Sequence, residues 1–232
     1  MKISFSCCEF ICCQGSRKDL DARVPQKDIG PLYDSLSGIY DVWGILTESR
    51  ARKRAIELAD IKDGQNILEV AVGTGLAFYE IVKMNRQGQN LGIDISPGML
   101  NKAKKRLSKL DGVTYRLELG SALHLPAEDQ KFDLLVNNYM FDLIPFHEMD
   151  SILAEFHRVL KKEGTLLLVN MTKGERFGSG LYELIFRLSP KSMGGCRGIR
   201  LSERLRNHGF HVETREYHQQ LLFPSEVIVA RK

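Results

Sequence analysis

Two glycines and an aspartate have the types and the spacing of a nucleoside-binding site. Gly73 and Gly75 follow directly on an apolar run, Ile67–Val72, and Asp94 stands near the end of a second apolar run, Leu91–Ile95. A glycine turn after a strand lets backbone amides approach a ligand, and a carboxylate at the end of the next strand accepts hydrogen bonds from ribose hydroxyls. Strand, glycine turn, helix, strand and acid together predict a βαβ unit that binds a nucleoside.

The residue at the third glycine position distinguishes two cofactor classes. Dinucleotide sites use G-x-G-x-x-G, in which the third glycine allows close helix packing and the helix N-terminus meets a pyrophosphate. Counted from Gly73 and Gly75, that position is Phe78, which has a bulky side chain. A ligand without a pyrophosphate is therefore favoured, and S-adenosylmethionine is the better candidate. The alternative is a turn with a purely structural role, which the matching acid Asp94 makes less favoured.

Apolar runs and helical patterns alternate along the chain, which is typical of a parallel sheet with right-handed crossovers. Five strands are predicted, at Ile67–Val72, Leu91–Ile95, Val113–Glu118, Phe132–Asn137 and Thr165–Asn170. Helices are predicted at Glu48–Leu58, Leu76–Lys83, Pro97–Leu110, His147–Lys161 and Leu201–His208, and two extended runs follow at Phe210–His218 and Leu221–Ala230. Chemistry is expected at the carboxyl ends of the strands, beside the point where the strand order reverses.

From about Ile29 to Lys232 the chain resembles the class I S-adenosylmethionine-dependent methyltransferases. The resemblance is carried by LEVAVGTG (68–75), GIDIS (92–96), GSA with LP (120–122, 125–126), FDLLV (132–136) and EFHRVLKKEGTLLL (155–168). It is most similar to the branch with the ubiquinone/menaquinone-biosynthesis C-methyltransferases and the bacterial phospholipid N-methyltransferases. This implies an α/β fold with a Rossmann-like, seven-stranded, mostly parallel sheet, helices on both faces and a C-terminal antiparallel hairpin. None of the motifs is specific to a substrate.

Two positions depart from the family pattern. Ala71 replaces the first glycine of the E/D-x-G-x-G-x-G loop, and as a small residue it is expected to keep the turn. Ser121 stands where the family often has an acid that contacts the adenine amino group. Either the Ser121 hydroxyl still accepts a hydrogen bond there, or the adenine contact comes mainly from the backbone.

The resemblance implies a set of cofactor-binding residues, and S-adenosylmethionine is the predicted cofactor with no metal. The residues are Glu69, Ala71, Gly73, Gly75, Asp94, Ile95, Met99, Ser121, Ala122, Asn137 and Tyr40. Tyr40 belongs, with Tyr33 and Trp43, to an aromatic segment that folds over the mouth of the site in this family. These rings would shield the reaction from water or face the sulfonium, or they would simply pack on the sheet edge.

A catalytic base is needed only if the acceptor must lose a proton at or before methyl transfer. The main candidates are His147, Asp142 and Tyr139, near the end of the fourth predicted strand, with His124 and Tyr33 as further possibilities. A surface or structural role is the competing interpretation for each histidine. Positioning and desolvation carry much of the rate in any case, because the cofactor brings a good leaving group.

One methyltransferase domain, residues 28–232, is expected after a cysteine-rich and mobile extension, residues 1–27. Within the domain we expect an N-terminal cap at 28–60 and an insertion at 174–200. Four of the five cysteines lie in the extension, and their scarcity elsewhere favours a reducing cytoplasm. The extension is interpreted as a tail without function, as an acylated segment that contacts a membrane peripherally, or as a soft-metal site, although its adjacent cysteine pairs lack C-x-x-C spacing.

The composition excludes several function classes. With 232 residues, 43% hydrophobic and 27% charged, the chain has globular values. Its net charge of +4 is mild, and without a basic stripe interleaved with aromatics no nucleic-acid partner is expected. No apolar run reaches the roughly 18–20 residues needed to span a bilayer.

The sequence therefore predicts a cytoplasmic methyltransferase for a small and apolar acceptor, either a quinol-like ring or a lipid head group. Two alternatives remain open. One is a protein that binds the cofactor without catalysis, and the other is a methyltransferase for a thiol or an amine.

Overall fold

A seven-stranded sheet organises the part of the chain that the computed structural model describes, residues 48–174, 197–221 and 223–232. The strand order is β3-β2-β1-β4-β5-β7-β6, with β1 to β5 parallel and β7 antiparallel to both β5 and β6. The strands are β1 Asn66–Val70, β2 Gln89–Asp94, β3 Arg116–Leu119, β4 Phe132–Asn138, β5 Leu160–Met171, β6 His211–Gln220 and β7 Phe223–Arg231. This order and the C-terminal antiparallel pair confirm the predicted fold class.

Helices cover both faces of this sheet. The α-helices are α1 Ser49–Leu58, α2 Leu76–Met84, α3 Pro97–Leu107, α4 Phe146–Val159 and α5 Ser202–Asn207, and a 3₁₀ helix spans Phe141–Leu143. α4 buries Ile152 and Phe156 in the core on one face, and α1 buries Ala51 and Ala55 in the core on the other. Because the strands are apolar on both sides, the sheet is stable only with both faces covered.

Local sequence sets where α3 begins, at the carboxyl edge of the sheet. The Ser96 hydroxyl accepts a hydrogen bond from the Met99 amide at 3.1 Å and caps α3, whose first residue is Pro97. Serine at the cap and proline in the first turn are both favoured there, because each suits the unpaired amides of a helix start. The cap therefore fixes the residues that follow Asp94.

Phe78, which argued against a dinucleotide, is a core residue. It is fully buried, and it packs with Val72 between α2, α3 and the sheet. A Cβ atom added at Gly92 of β2 would lie 3.1 Å from Phe78 Cε1 and 2.7 Å from Val72 Cγ2. The ring thus occupies the space that a side chain at position 92 would need. Gly92 is therefore the glycine that lets the Phe78 ring pack closely against the sheet.

The largest differences between the predicted strand boundaries and the structure are at β5 and β3. β5 begins at Leu160 and not at Thr165, because the chain becomes extended at Leu160 and pairs there with Phe132. The β4–β5 register is irregular between Phe132 and Leu134. The alternation of apolar and polar residues in the sequence therefore does not indicate this early pairing. β3 covers only Arg116–Leu119, which is shorter than predicted and suits a strand at the sheet edge.

α1 is fastened to the C-terminal hairpin by a bidentate ion pair. Arg54 Nε and Nη2 donate to Glu216 Oε2 and Oε1 at 2.9 and 2.8 Å. The hydrogen bonds from this guanidinium lower the pKa of Glu216 to about 2. The Arg50 amide also donates to Gln220 Oε1 at 2.9 Å, so β6 fixes the start of the described chain.

Several predictions lie outside the described residues. They concern the extension 1–27, the aromatic residues Tyr33, Tyr40 and Trp43, and most of the insertion 174–200. Of the described helices, none has both the length and the hydropathy needed to cross a membrane. The same residues contain no group of three or more His, Cys, Asp and Glu side chains able to hold a metal ion.

Candidate functional site

A cavity lies at the carboxyl edge of the sheet. It is bounded by the turn after β1, the residues after β2, the turn after β3 and the segment after β4. Its lining residues are Val70, Ala71, Gly73, Asp94, Ile95, Ser96, Met99, Gly120, Ser121, Ala122, Asn138, Tyr139, Met140, Leu143, Ile144 and Ile152. Most of the predicted cofactor-binding residues in the described chain are in this set. The strand order reverses beside β1, which is where ligands bind in open α/β sheets.

Asp94 holds the glycine turn against the end of β2. Its Oδ2 accepts a hydrogen bond from the Gly73 amide at 2.7 Å, and its Oδ1 accepts one from the Ser96 amide at 2.9 Å. The carboxylate is 9% exposed and lines the cavity. Each carboxylate oxygen has a second lone pair, so both can also accept hydroxyl groups from a ligand. The predicted contact with ribose is therefore compatible with this geometry.

The two glycines of the turn are suited to their positions for different structural reasons. Gly73 has φ +57°, lines the cavity, and would place a Cβ with no atom within 4 Å. Gly75 has φ +77°, and its Cβ would lie 3.0 Å from both Cα and Cβ of Ala103 in α3. Gly75 is absent from the cavity lining. A side chain at Gly75 would therefore first meet Ala103, because this glycine allows α2 and α3 to approach.

Two residues other than glycine adopt left-handed backbone conformations in the cavity lining. Ala71 has φ 60° and Tyr139 has φ 50°. Such conformations cost about 1–3 kcal/mol each and cluster at functional sites. Ala71 keeps the turn as expected, although with backbone strain that the glycine usual in the family would avoid.

Ser121 lines the cavity together with Gly120 and Ala122. The Ser121 hydroxyl accepts a hydrogen bond from the Leu123 amide at 3.2 Å, so it stabilises its own turn. Four apolar lining residues were not predicted, namely Met140, Leu143, Ile144 and Ile152. The apolar run MFDLI (140–144) directly after β4 was the available signal.

A smaller polar pocket adjoins the cavity, and Ala71, Gly73, Asn138 and Tyr139 line both. Glu48, Arg52 and Glu69 line the polar pocket itself. Burial raises the pKa of both Glu48 and Glu69 to about 8, and the Arg52 charge opposes both shifts. Of these residues the sequence predicted only Glu69.

Of two adjacent asparagines, Asn138 lines both pockets, whereas the predicted Asn137 lines neither. Asn137 is 1% exposed, does not line the cavity, and donates from Nδ2 to the Val70 carbonyl at 2.8 Å. Side chains alternate across a strand, so adjacent residues face opposite sides of the sheet. Asn138 faces Glu69 and donates to Glu69 Oε1 at 3.0 Å.

Of the three candidate bases, one lines the cavity. The His147 side chain is 77% exposed beside Glu148, and Asp142 is fully buried in the 3₁₀ helix; neither is in the lining. Tyr139 is in the lining, and its hydroxyl shares a 2.8 Å hydrogen bond with the Ser225 hydroxyl. Burial raises the pKa of Tyr139 well above its usual value, so the phenol is neutral and suited to donating a hydrogen bond.

The fold and this site define the class of protein. Residues 67–164 match a family described as a methyltransferase domain. These residues therefore carry a methyltransferase domain, and the sheet order is the one implied by the resemblance to the class I S-adenosylmethionine-dependent methyltransferases.

A sequence relative with a named activity is the demethylmenaquinone methyltransferase of Lactobacillus johnsonii, which is 29% identical over 154 residues. The match covers 64% of this chain and 62% of that protein. The chain thus spans about three fifths of the length of this curated relative.

Two solved structures share the fold. The [4+2]-cyclase SpnF has a TM-score of 0.72 at 18% identity and covers 93% of this chain and 99% of its own. A geranyl diphosphate methyltransferase, in complex with its diphosphate substrate and sinefungin, has a TM-score of 0.64 at 16% identity and covers 79% and 77%. At these identities the likeness extends to the fold alone.

The residues present fit S-adenosylmethionine, the cofactor of this class, at both of its polar ends. Asp94 offers lone pairs to ribose hydroxyls at the end of β2. In the described part of the chain, Glu69 Oε2 and Asn138 Oδ1 are buried and have no hydrogen-bond partner. An ammonium group donates three hydrogen bonds, so it would satisfy both acceptors.

We expect cofactor binding to release close to one proton near pH 7. Burial raises the pKa of Glu69 to about 8 in the ligand-free protein, so this carboxyl is mostly protonated at neutral pH. An ammonium group at Oε2 favours the carboxylate and lowers that pKa, so affinity should rise with pH up to about 8. Calorimetric titrations in phosphate and in Tris, which take up protons with different heats, measure the release.

Glu69→Gln should reduce this proton release, whereas the exposed control Glu203→Gln should leave it unchanged. Because the folded pKa lies above the unfolded value of 4.5, the ligand-free protein should lose thermal stability between pH 5 and pH 8. Glu48 faces the same pocket with a similarly raised pKa, so a part of this loss should persist in the variant. Binding that releases no proton at pH 7 would contradict an ammonium contact at Glu69.

Proposed function

We propose that this protein transfers the methyl group of S-adenosylmethionine to a small, largely apolar acceptor, with a quinol-like ring favoured over a lipid head group. The observation that carries the proposal is a pair of neighbouring pockets at the carboxyl edge that share four lining residues. One pocket has Asp94 and an apolar wall that suit adenosine, and the other has Glu69 and Asn138 acceptors that suit an ammonium group. The junction between them is the position for the reacting centre.

When bound, the cofactor supplies an electrophilic methyl group on a positively charged sulfur, which departs with the bonding electron pair. The residues of this chain position the two reactants and exclude water. Ala71, Gly73, Asn138 and Tyr139 surround the junction, and the ring of Tyr139 is fixed by its bond to Ser225 and a tilted contact with Phe223. Positioning of this kind accounts for a large part of the barrier reduction in such displacements.

Proton removal is left to water or to the acceptor itself in this proposal. Among the described lining residues of the cavity, Asp94 and Tyr139 are the titratable ones. Asp94 accepts two backbone hydrogen bonds, and Tyr139 is a neutral phenol. A carboxylate that is occupied by backbone amides and a neutral phenol are both poorly suited to act as a general base.

The apolar acceptor is supported by the similar demethylmenaquinone methyltransferases, whose name denotes a quinone substrate. Of the cap predicted at 28–60, the structure describes residues 48–60. α1, which lies in that cap, already brings Glu48 and Arg52 to the polar pocket.

A second candidate is a protein that binds the cofactor without methyl transfer. It is favoured by the absence of an evident base in the described lining and by the similarity of the fold to SpnF, which is named a [4+2]-cyclase. The fold alone therefore does not establish methyl transfer.

The two candidates are separated by an assay for S-adenosylhomocysteine. The full chain is incubated with S-adenosylmethionine and, separately, a short-chain hydroquinone, phosphatidylethanolamine vesicles, a small thiol and a small amine. We expect product with the hydroquinone at a rate well above that without acceptor. Tight cofactor binding with no product from any acceptor would favour the second candidate, and product only from the vesicles, thiol or amine would overturn the preferred acceptor.

A further inference from the structure

The carboxyl end of β5 carries two buried polar atoms that the cofactor site does not use. Asn170 and Thr172 are each 1% exposed. In the described chain, neither Asn170 Oδ1 nor Thr172 Oγ1 has a hydrogen-bond partner. Unpaired buried polar atoms are rare in native proteins, because each carries the full cost of losing water.

The orientation of the Asn170 amide is fixed by its nitrogen. Nδ2 donates to the Met171 carbonyl and to Glu226 Oε1, both at 3.0 Å. Glu226 is fully buried and is itself held by Arg215, whose Nε lies 2.7 Å from Oε2. Both contacts require a donor at Nδ2, so the unpaired atom is the oxygen, which can only accept.

Asn170 and Thr172 share one side of the extended chain, because they are two residues apart. The Thr172 amide donates to the Pro224 carbonyl at 3.0 Å and so continues the pairing of β5 with β7. Leu168, on the same side of β5, is buried, as is Ile199, whose amide donates to the Met171 carbonyl at 3.0 Å. The Tyr139 amide donates to the Val169 carbonyl, so the β5 backbone just before Asn170 pairs with a residue that lines both pockets.

We propose that Asn170 and Thr172 form the anchor for the methyl acceptor and that they bind a hydroxyl group on an otherwise apolar molecule. This inference rests on the proposed function. Asn170 Oδ1 requires a donor, and the Thr172 hydroxyl can accept from or donate to the same group. A carbonyl oxygen has no proton to give, and a phosphate oxygen would add a negative charge beside the Glu226 carboxylate. A neutral hydroxyl therefore fits better than a quinone carbonyl or a phospholipid head group.

Thr172→Val tests the anchor, because valine has the shape of threonine without the hydroxyl. Removing a buried hydroxyl that has no protein partner should leave the melting temperature unchanged or raise it. KM for a short-chain hydroquinone should rise about tenfold, since the ligand hydroxyl loses a partner, while the Kd of S-adenosylmethionine stays the same. Thr172→Ser keeps the hydroxyl and should restore KM, and Thr165→Val, at a partly buried threonine in the middle of β5, serves as the control.

The ligand series completes the test. The effect of Thr172→Val should disappear when the hydroquinone is replaced by its dimethyl ether, measured as direct binding to the protein loaded with S-adenosylhomocysteine. An unchanged hydroquinone affinity in Thr172→Val, or a loss in Thr165→Val of the same size, would overturn the anchor. If the wild type binds the hydroquinone but never releases S-adenosylhomocysteine, and Thr172→Val weakens that binding, the anchor stands and the proposed methyl transfer is wrong.

Discussion

Asp94→Ala is expected to lower the affinity for S-adenosylmethionine at least tenfold. The carboxylate is the acceptor for the Gly73 and Ser96 amides and the proposed acceptor for the ribose hydroxyls. Its loss leaves donors without acceptors on both the protein and the ligand, and each such buried group costs about 1–3 kcal/mol. Isothermal titration calorimetry measures the affinity directly.

Asp94→Asn refines this result, and Asp150→Asn, at a position where the side chain is 56% exposed, is its control. Asparagine keeps one acceptor oxygen but turns an amide nitrogen toward one of two backbone donors, so an intermediate affinity is expected. Because the same carboxylate holds the turn, thermal unfolding should be recorded beside each titration. An unchanged affinity in a folded Asp94→Ala protein would contradict the proposed ribose contact.

Gly73→Val should mainly affect cofactor binding, whereas Gly75→Val should mainly affect the stability of the fold. Gly73→Val is expected to abolish cofactor binding, because its side chain would project into the cavity, where no atom lies within 4 Å of the added Cβ. Its cost to the fold should be limited to the left-handed backbone, about 1–2 kcal/mol. Gly75→Val should destabilise the fold by about 3–5 kcal/mol, because strain adds to a 3.0 Å approach to Ala103.

Urea unfolding and calorimetry of both variants separate these effects. Gly64→Val is the control for backbone strain alone, since Gly64 has φ +95° with nothing within 4 Å of its Cβ and is not in the cavity lining. Cofactor binding of normal strength by Gly73→Val would place the cofactor elsewhere. Stability of Gly75→Val equal to that of the Gly64→Val control would show that α2 and α3 can separate without cost.

The βαβ unit could be predicted from sequence because its signals are local. An apolar run, a glycine turn and an acid at the end of the next strand define both the backbone and its ligand-facing residues. The cavity accordingly includes Gly73, Asp94, Ile95 and Ser121 as predicted. Phe78 also excluded a dinucleotide for a sound reason, since its ring is packed in the core.

Predictions that depended on the direction of a single side chain were less successful. Asn137 and Asn138 are adjacent and identical, and only the strand register decides that Asn138 faces Glu69. Gly75 is explained by helix packing, which brings it close to Ala103, 28 positions later in the chain. The local sequence around neither residue predicts this contact. His147 was favoured by its chemistry, yet its position on α4 leaves the side chain exposed.

The sequence by itself determined the class of fold, and it predicted the place of the proposed nucleoside site and the acid proposed to bind ribose. Only the tertiary structure decided which buried polar atoms of the described residues stay without partners, among them Glu69 Oε2, Asn138 Oδ1, Asn170 Oδ1 and Thr172 Oγ1. A local pattern fixes backbone geometry within one or two elements, because hydrogen bonding and side-chain alternation act over a few residues. Whether a polar atom is satisfied depends on every element packed around it, and those neighbours come from distant parts of the chain.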